Sequence, residues 1–173
     1  MSNVLCICGS TQKTGGTVRA LRKVLDIYPD NVETVFLHDY NFSYYDYENR
    51  NRDDDFLPLA QKMTQVETII FVTPVYWYAM SAIMKTFLDR LTDLITIEKS
   101  TGRALAGKKC FVICSGYGVD IPPGFDYPFA ATCNYFDMTY KGCLYESVKC
   151  AQEQPEYNIN EARIFAEKIF GKK

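Results

Sequence analysis

Residues 4–17 read VLCICGSTQKTGGT, and this stretch decides the fold. Val4 to Cys8 form an uninterrupted apolar run of small or branched side chains, the pattern of a central strand covered on both faces. A turn containing Gly9, Gly15 and Gly16 follows at once. From Thr17, read as an N-cap, the apolar residues Val18, Leu21, Leu25 and Tyr28 recur at helical spacing until Pro29-Asp30 breaks the pattern. A buried strand, a glycine-rich turn and an amphipathic helix open a βα unit.

The same alternation continues outward. Strands are expected at Val32 to Leu37, Thr68 to Thr73 (with Pro74 as the stop), Lys109 to Ser115 and Lys141 to Val148. Helices are expected at Leu57 to Gln65, Tyr127 to Met138 and Asn160 to Phe170, and a long one capped by Ser81 is expected to run until Gly102 closes it. Five strands in alternation with five helices predict a doubly wound α/β fold. Its sheet is a five-stranded parallel one of order 2-1-3-4-5, with helices on both faces. A chain of 173 residues fits one domain, 1–173.

Composition narrows the function. A formal charge of −2 and a pI near 5.5 are wrong for neutralising a run of phosphates, so no nucleic-acid partner is expected. No basic leader precedes an apolar core, and no apolar run approaches the roughly 20 residues that span a bilayer. No membrane association is expected, and the expected location is cytoplasmic. Seven cysteines, none in CxxC spacing, suggest neither a disulfide framework nor a zinc ribbon. Cys6, Cys8, Cys110 and Cys114 fall in strands, where a thiol behaves as a small hydrophobe. His38 is the only histidine and has no companion at metal-ligand spacing, so a structural role is expected.

In such a sheet a ligand sits beyond the carboxyl ends of the strands at the topological switch point, which nominates three loops. The first, GSTQKTGGT (9–17), combines three glycines with four hydroxyl side chains before a helix, a setting for a phosphate. Gly16 stands where a Walker A loop needs lysine, and the glycines lack GxGxxG spacing, so a single phosphate monoester is the best fit. An ordinary glycine turn is the plain alternative. The second loop, PVYWYAMS (74–81), sets Tyr76, Trp77 and Tyr78 at a strand mouth, where they could cover a planar ring or form a subunit interface. The third begins Ser115-Gly116-Tyr117-Gly118, whose glycines allow close backbone approach or simply a tight turn.

GSTQKTGGT together with TPVYWYAMSAIMKTFLDR (73–90) resembles the NAD(P)H-dependent FMN reductases and related flavodoxin-like flavoproteins, whose pattern is close to GSxRxxGNT followed by SPVYWxxMSAxxKxFxDR. The resemblance implies FMN as cofactor and NAD(P)H as electron donor, with hydride passed on to a small-molecule acceptor: a quinone, flavin, nitro compound or metal ion. It places Ser10, Gln12, Thr14, Gly15, Gly16 and Thr17 around the FMN phosphate. Pro74, Val75, Tyr76, Trp77 and Tyr78 would border the ring and ribityl chain, with Ser115, Gly116 and Tyr117 on the other side. No side chain is expected to act as a catalytic acid or base, because the flavin carries the chemistry. A homodimer or homotetramer is expected. A flavodoxin-type electron carrier without its own NAD(P)H activity is the alternative.

Two departures from that pattern stand out. Gln12 replaces a common arginine, offering hydrogen bonds in place of fixed charge, with Lys13 or Arg19 as candidate substitutes. Asn41 to Asp55 (NFSYYDYENRNRDDD) lacks the cysteines of iron-sulfur relatives, which excludes that cofactor. Its aromatics could roof a pocket, meet a partner or lie in solvent. Asp89 and Arg90 match the DR pair, and Arg90 with Asp93 is expected to form an exposed helix pair.

Overall fold

The computed structural model describes residues 3–27, 31–154 and 156–171. Tyr28 and the Pro29-Asp30 break lie outside the described residues. The strands are β1 (Val4–Cys8), β2 (Val32–Phe36), β3 (Thr68–Tyr76), β4 (Ala79–Met80), β5 (Lys109–Gly116) and β6 (Thr139–Ser147). The α-helices are α1 (Gly16–Leu25), α2 (Phe56–Thr64), α3 (Ala82–Arg90), α4 (Asp93–Thr96), α5 (Lys99–Arg103), α6 (Tyr127–Tyr135), α7 (Val148–Glu153) and α8 (Ile159–Phe170), and a 3-10 turn spans Leu37–Asp39.

The parallel path runs β2-β1-β3-β5-β6, which is the expected 2-1-3-4-5 order once β4 is set aside. Alternate residues of each strand serve opposite faces. Leu5, Ile7, Ile69 and Phe71 bury against Leu59 of α2, Phe87 of α3 and Phe129 of α6. Cys6, Cys8, Ile70 and Val72 bury against Val18 and Leu21 of α1 and Phe165 of α8. Both faces are therefore covered by helices, the arrangement an all-apolar strand such as β1 requires. Phe71 lies 6.5 Å from Phe87 and 5.6 Å from Phe129 between ring centroids, and each buried aromatic contributes roughly 1.5–3 kcal/mol.

The sheet has six strands where five were expected. Pro74 does not stop β3, which continues to Tyr76 and doubles back as β4, pairing Val75 with Met80 and Tyr76 with Ala79. Val72 carbonyl accepts from Gly9 N at 2.8 Å, so by alternation Pro74 turns its missing N–H toward the same side, where β1 has already ended at Cys8. A proline is tolerated where the neighbouring strand has stopped.

Three helix expectations also change. Helix α1 begins at Gly16 with Gly15 as N-cap, and Thr17 is buried within the first turn. Ser81 does cap α3, its Oγ accepting from Met84 N at 3.4 Å, but the long helix breaks into α3, α4 and α5. Gly102 lies inside α5 and permits its packing on α4, since a Cβ there would collide with the Leu94 carbonyl. The last strand ends at Ser147, whose side chain caps the extra helix α7. Among the described residues no helix is long and apolar enough to cross a membrane.

Arg90 corrects the expectation of an exposed pair. Its side chain is fully buried, donating to Asp93 at 2.9 Å, to Asp54 at 2.5 and 3.1 Å, and to the Ser43 carbonyl at 3.1 Å, with its guanidinium 4.7 Å from the Phe56 ring centroid. The 41–55 segment is thereby pinned to α3. Phe42 packs inward against Phe56 and Phe87, whereas Tyr44 and Tyr47 face solvent.

Candidate cofactor site

The ends of β1, β3 and β5 lie in register, with Cys8 opposite Val72 and Val72 opposite Ile113, so the three nominated loops emerge side by side. Hydrogen bonds tie them together. Ser81 Oγ donates to the Gly9 carbonyl at 2.8 Å, while Ser81 N donates to Thr73 Oγ1 at 3.0 Å. A Cβ on Gly9 would lie 2.8 Å from Ser81 Oγ and 3.0 Å from Met84 Cβ, so only glycine fits this junction. Thr17 Oγ1 and Ser115 Oγ, both buried, are 2.8 Å apart and join the first loop to the third.

Within the first loop Ser10 is buried, its Oγ accepting from Gln12 N at 3.2 Å and lying 3.1 Å from the Gln12 carbonyl, to which it donates. Gln12, Lys13 and Thr14 are exposed, and the Gln12 amide rests against Gly15, where a Cβ would meet its Oε1 at 2.9 Å. Gly15 supplies no side-chain cap to α1, and no acidic residue occupies the first turn. The orphan N–H groups of a ten-residue helix thus open on a loop rich in hydroxyls, a donor set that fits a phosphate.

The two candidate cations part company. Lys13 is 2.6 Å from Asp39, whose carboxyl is held below its usual range by that hydrogen bond, so Lys13 is engaged beside the loop. Arg19 donates to the Thr14 carbonyl at 3.3 Å, so its guanidinium lies at the loop itself.

Tyr76, Trp77 and Tyr78 are all exposed, Trp77 at 92%. Trp77 (φ 48°) and Tyr78 (φ 68°) both occupy the left-handed region and form the two-residue turn between β3 and β4. Such turns favour Asn-Gly, and bulky side chains there cost about 1–3 kcal/mol each. The turn thus holds two aromatics exposed at the mouth of β3 at a cost in backbone strain. Pro74 is buried beneath them and Val75 half-buried.

In the third loop Ser115 and Gly116 are buried and Tyr117 is exposed. A Cβ on Gly116 would lie 2.9 Å from the Tyr145 hydroxyl and 3.2 Å from Val75 Cβ, which shows how closely the second and third loops approach. Between them opens a cleft of about 440 Å³ walled by Val75, Trp77, Tyr78, Tyr117, Tyr145, Gly118 and residues 120–123. Its flat aromatic walls fit a planar ring. The fourteen nominated residues lie at the ends of three neighbouring strands and in the turns and helix start that follow, and of them Val75, Trp77, Tyr78 and Tyr117 line the cleft. Sequence reasoning missed Tyr145, whose hydroxyl donates to the Gly118 carbonyl at 2.7 Å, and Asp120. Tyr145 stands at the carboxyl end of the strand next to β5, and that position was the available signal.

His38 sits edge-on to Phe36, with Nε2 3.3 Å from Asp39, in keeping with a structural role. Cys6, Cys8, Cys110 and Cys114 are buried, and burial pushes the Cys6 thiol up to about 12, which makes it a poor nucleophile.

Fold and loops together define a flavodoxin-like protein with an uncapped, hydroxyl-rich helix start beside an aromatic cleft. The chain belongs to the NADPH-dependent FMN reductase family, whose profile it matches over residues 2–121. FMN and a nicotinamide nucleotide, the pair implied by the sequence resemblance, are the pair that family's description states. The chain is 26% identical over 97 residues to YwqN of Bacillus subtilis (strain 168), named as an NAD(P)H-dependent FMN-containing oxidoreductase; 51% of each protein is covered. It is 25% identical over 87 residues to ribosyldihydronicotinamide dehydrogenase (quinone) of Rattus norvegicus, covering 50% of this chain and 29% of that one. The matches thus span about half of the first relative and under a third of the second. An FMN-dependent NADH-azoreductase from Bacillus anthracis, solved in complex with FMN, shares the fold with a TM-score of 0.73 at 15% identity, over 96% of this chain and 98% of that one.

Proposed function

We propose that the chain is an FMN-dependent oxidoreductase that takes electrons from NADPH or NADH and delivers them to a small acceptor such as a quinone, free flavin, nitro compound or metal ion. The single observation behind this reading is the buried Thr17–Ser115 hydrogen bond, which fixes an uncapped helix start beside the wall of the aromatic cleft. An anion site and a planar-ring site at one switch point are what a flavin mononucleotide needs. Bound FMN would supply the redox chemistry, and the chain would bind, orient and shield it.

In this reading Ser10, Gln12, Thr14, Gly15, Gly16 and Thr17 hold the phosphate, with Arg19 as the adjacent cation. Pro74 to Tyr78 and Ser115 to Tyr117 border the ribityl chain and ring. No side chain is assigned as acid or base. The near-neutral net charge of −2 and the projecting aromatics favour an enzyme over an electron carrier, which docks through a strongly charged face.

Titration of the purified chain with FMN, followed by emission of Trp77, tests the reading. Saturable quenching at one FMN per chain is expected, and an unchanged emission with no bound flavin would overturn it.

The chain is read as one domain that self-associates as a homodimer or homotetramer. Exposed Ile95 and Tyr135 beside an apolar groove of about 330 Å³ between α3 and α6 support self-association, which sedimentation velocity checks. Seven free thiols support a reducing, cytoplasmic location.

A further inference from the structure

The cleft between the second and third loops, where an acceptor would stack on the flavin ring, is aromatic and apolar except at one point. Asp120 is the one charged side chain in its lining, and it is exposed at the mouth beside Tyr117 and Tyr145. Among the described residues its carboxylate forms no ion pair, and no lysine, arginine or histidine lines the cleft to offset it. Lys23 on α1 is held by Glu146 at 2.7 Å and the Tyr157 carbonyl, and Lys13 by Asp39 at 2.6 Å. Tyr145, in the cleft wall, has its phenol pushed up to about 12, first by burial and then by neighbouring groups that include Asp120. Because Asp120 and Tyr145 line the same cleft, the carboxylate acts on whatever stands against that wall.

Electron-rich ring faces attract cations, and an unpaired carboxylate beside them adds a directed field of the same preference. We propose that Asp120 makes this cleft selective for cationic planar acceptors over anionic ones of the same shape. The inference rests on the reading of the cleft as a planar-ring site and adds the substrate's charge class. Even with the screening of bulk water, a carboxylate about 6 Å from a unit charge separates a cation from an anion by roughly tenfold in Kd. The separation shrinks with added salt, because the mouth is open to solvent.

Three tricyclic probes of similar shape test it: phenazine (neutral), N-methylphenazinium (cation) and phenazine-1-carboxylate (anion). Each is titrated into the full chain with Trp77 emission as readout. The cation is expected to bind about tenfold tighter than the anion at low salt, with phenazine between them. In Asp120→Asn the cation-to-anion ratio should collapse toward one. In the FMN-loaded protein, kcat/KM for the charged pair should follow the same order. Equal affinities in the unaltered chain, or a ratio that survives Asp120→Asn, would overturn the proposal while leaving the ring site standing. Failure of all three probes to quench Trp77 saturably would overturn the ring-site reading and the proposal with it.

Discussion

The guanidinium of Arg90 forks onto the carboxylate of Asp54, with bonds of 2.5 and 3.1 Å spanning 36 residues of chain. This pair converts a polar, tyrosine-rich segment into part of the scaffold. Arg90 is fully buried and its remaining bonds go to Asp93 and the Ser43 carbonyl, so removal of the Asp54 carboxylate weakens the pairing of a buried charge. Asp54→Asn is expected to cost about 2–3 kcal/mol, at or just below the range for breaking buried pairs because Asp54 keeps some solvent contact and Asp93 still holds Arg90. Denaturant unfolding measures this, and hydrogen exchange should show the 41–55 amides losing protection first. A loss below 0.5 kcal/mol, a threshold set by surface substitutions of about that size, would refute the role.

The same carboxylate sets an acid limit. Burial alone would raise the Asp54 carboxyl, but hydrogen bonds from Arg90 and from the Phe56 and Ser43 N–H groups outweigh it and hold the group below its usual value. Its contribution is therefore present above the unfolded value of about 4 and is lost as pH falls through the lower folded value. Stability measured from neutral pH downward should decline in that window. In Asp54→Asn this component of the decline should be missing, and an unaltered acid profile would contradict the assignment.

The Trp77–Tyr78 turn trades stability for exposure. Replacing the pair by Asn-Gly restores the residues a two-residue turn of this hand favours and should stabilise the flavin-free chain by about 1–2 kcal/mol. Affinity for FMN should fall at least tenfold, because the ring loses a wall. Thermal melts and flavin titrations of the double variant report both quantities. Stabilisation without loss of affinity would show that the turn does not serve the ring.

Gly116 is required by close approach, with the Tyr145 hydroxyl and Val75 both against the position of its absent Cβ. Gly116→Ala should break the Tyr145–Gly118 bond and destabilise the chain by about 1–3 kcal/mol. A crystal structure of the variant with Tyr145 undisplaced would dispose of this account.

Gln12 brings no fixed charge to the loop proposed to hold the phosphate. Gln12→Arg should tighten FMN binding about tenfold at low ionic strength, the order of a charge-assisted hydrogen bond, and steepen its salt dependence. Affinity unchanged at low salt would place the phosphate elsewhere.

The parallel core of the fold was legible because β1, β3 and β5 are buried on both faces and read as continuous apolar runs, and because Gly and Pro punctuate their ends. Strand order followed from topology. Less legible were features decided by distant partners. Pro74 reads as a stop locally, yet the strand continues because β1 has already ended beside it. Arg90 reads as a surface charge three residues from Asp93, and only the return of Asp54 from a remote loop makes it a buried node. Thr17 reads as a cap, while its hydroxyl is spent on Ser115, 98 residues away. Local periodicity carries no information on such contacts. Tyr145 escaped for the same reason, being one tyrosine among thirteen until the neighbouring strand end is known.

Anaerobic mixing of the FMN-loaded chain with NADPH, and separately with NADH, in a stopped-flow spectrophotometer tests the central claim most directly. Rapid loss of the oxidised flavin absorbance with at least one of the two nucleotides is expected, with colour restored on adding a quinone. Flavin that stays oxidised with both nucleotides, yet bleaches once a separate reductase is supplied, would contradict the account and leave a carrier in its place.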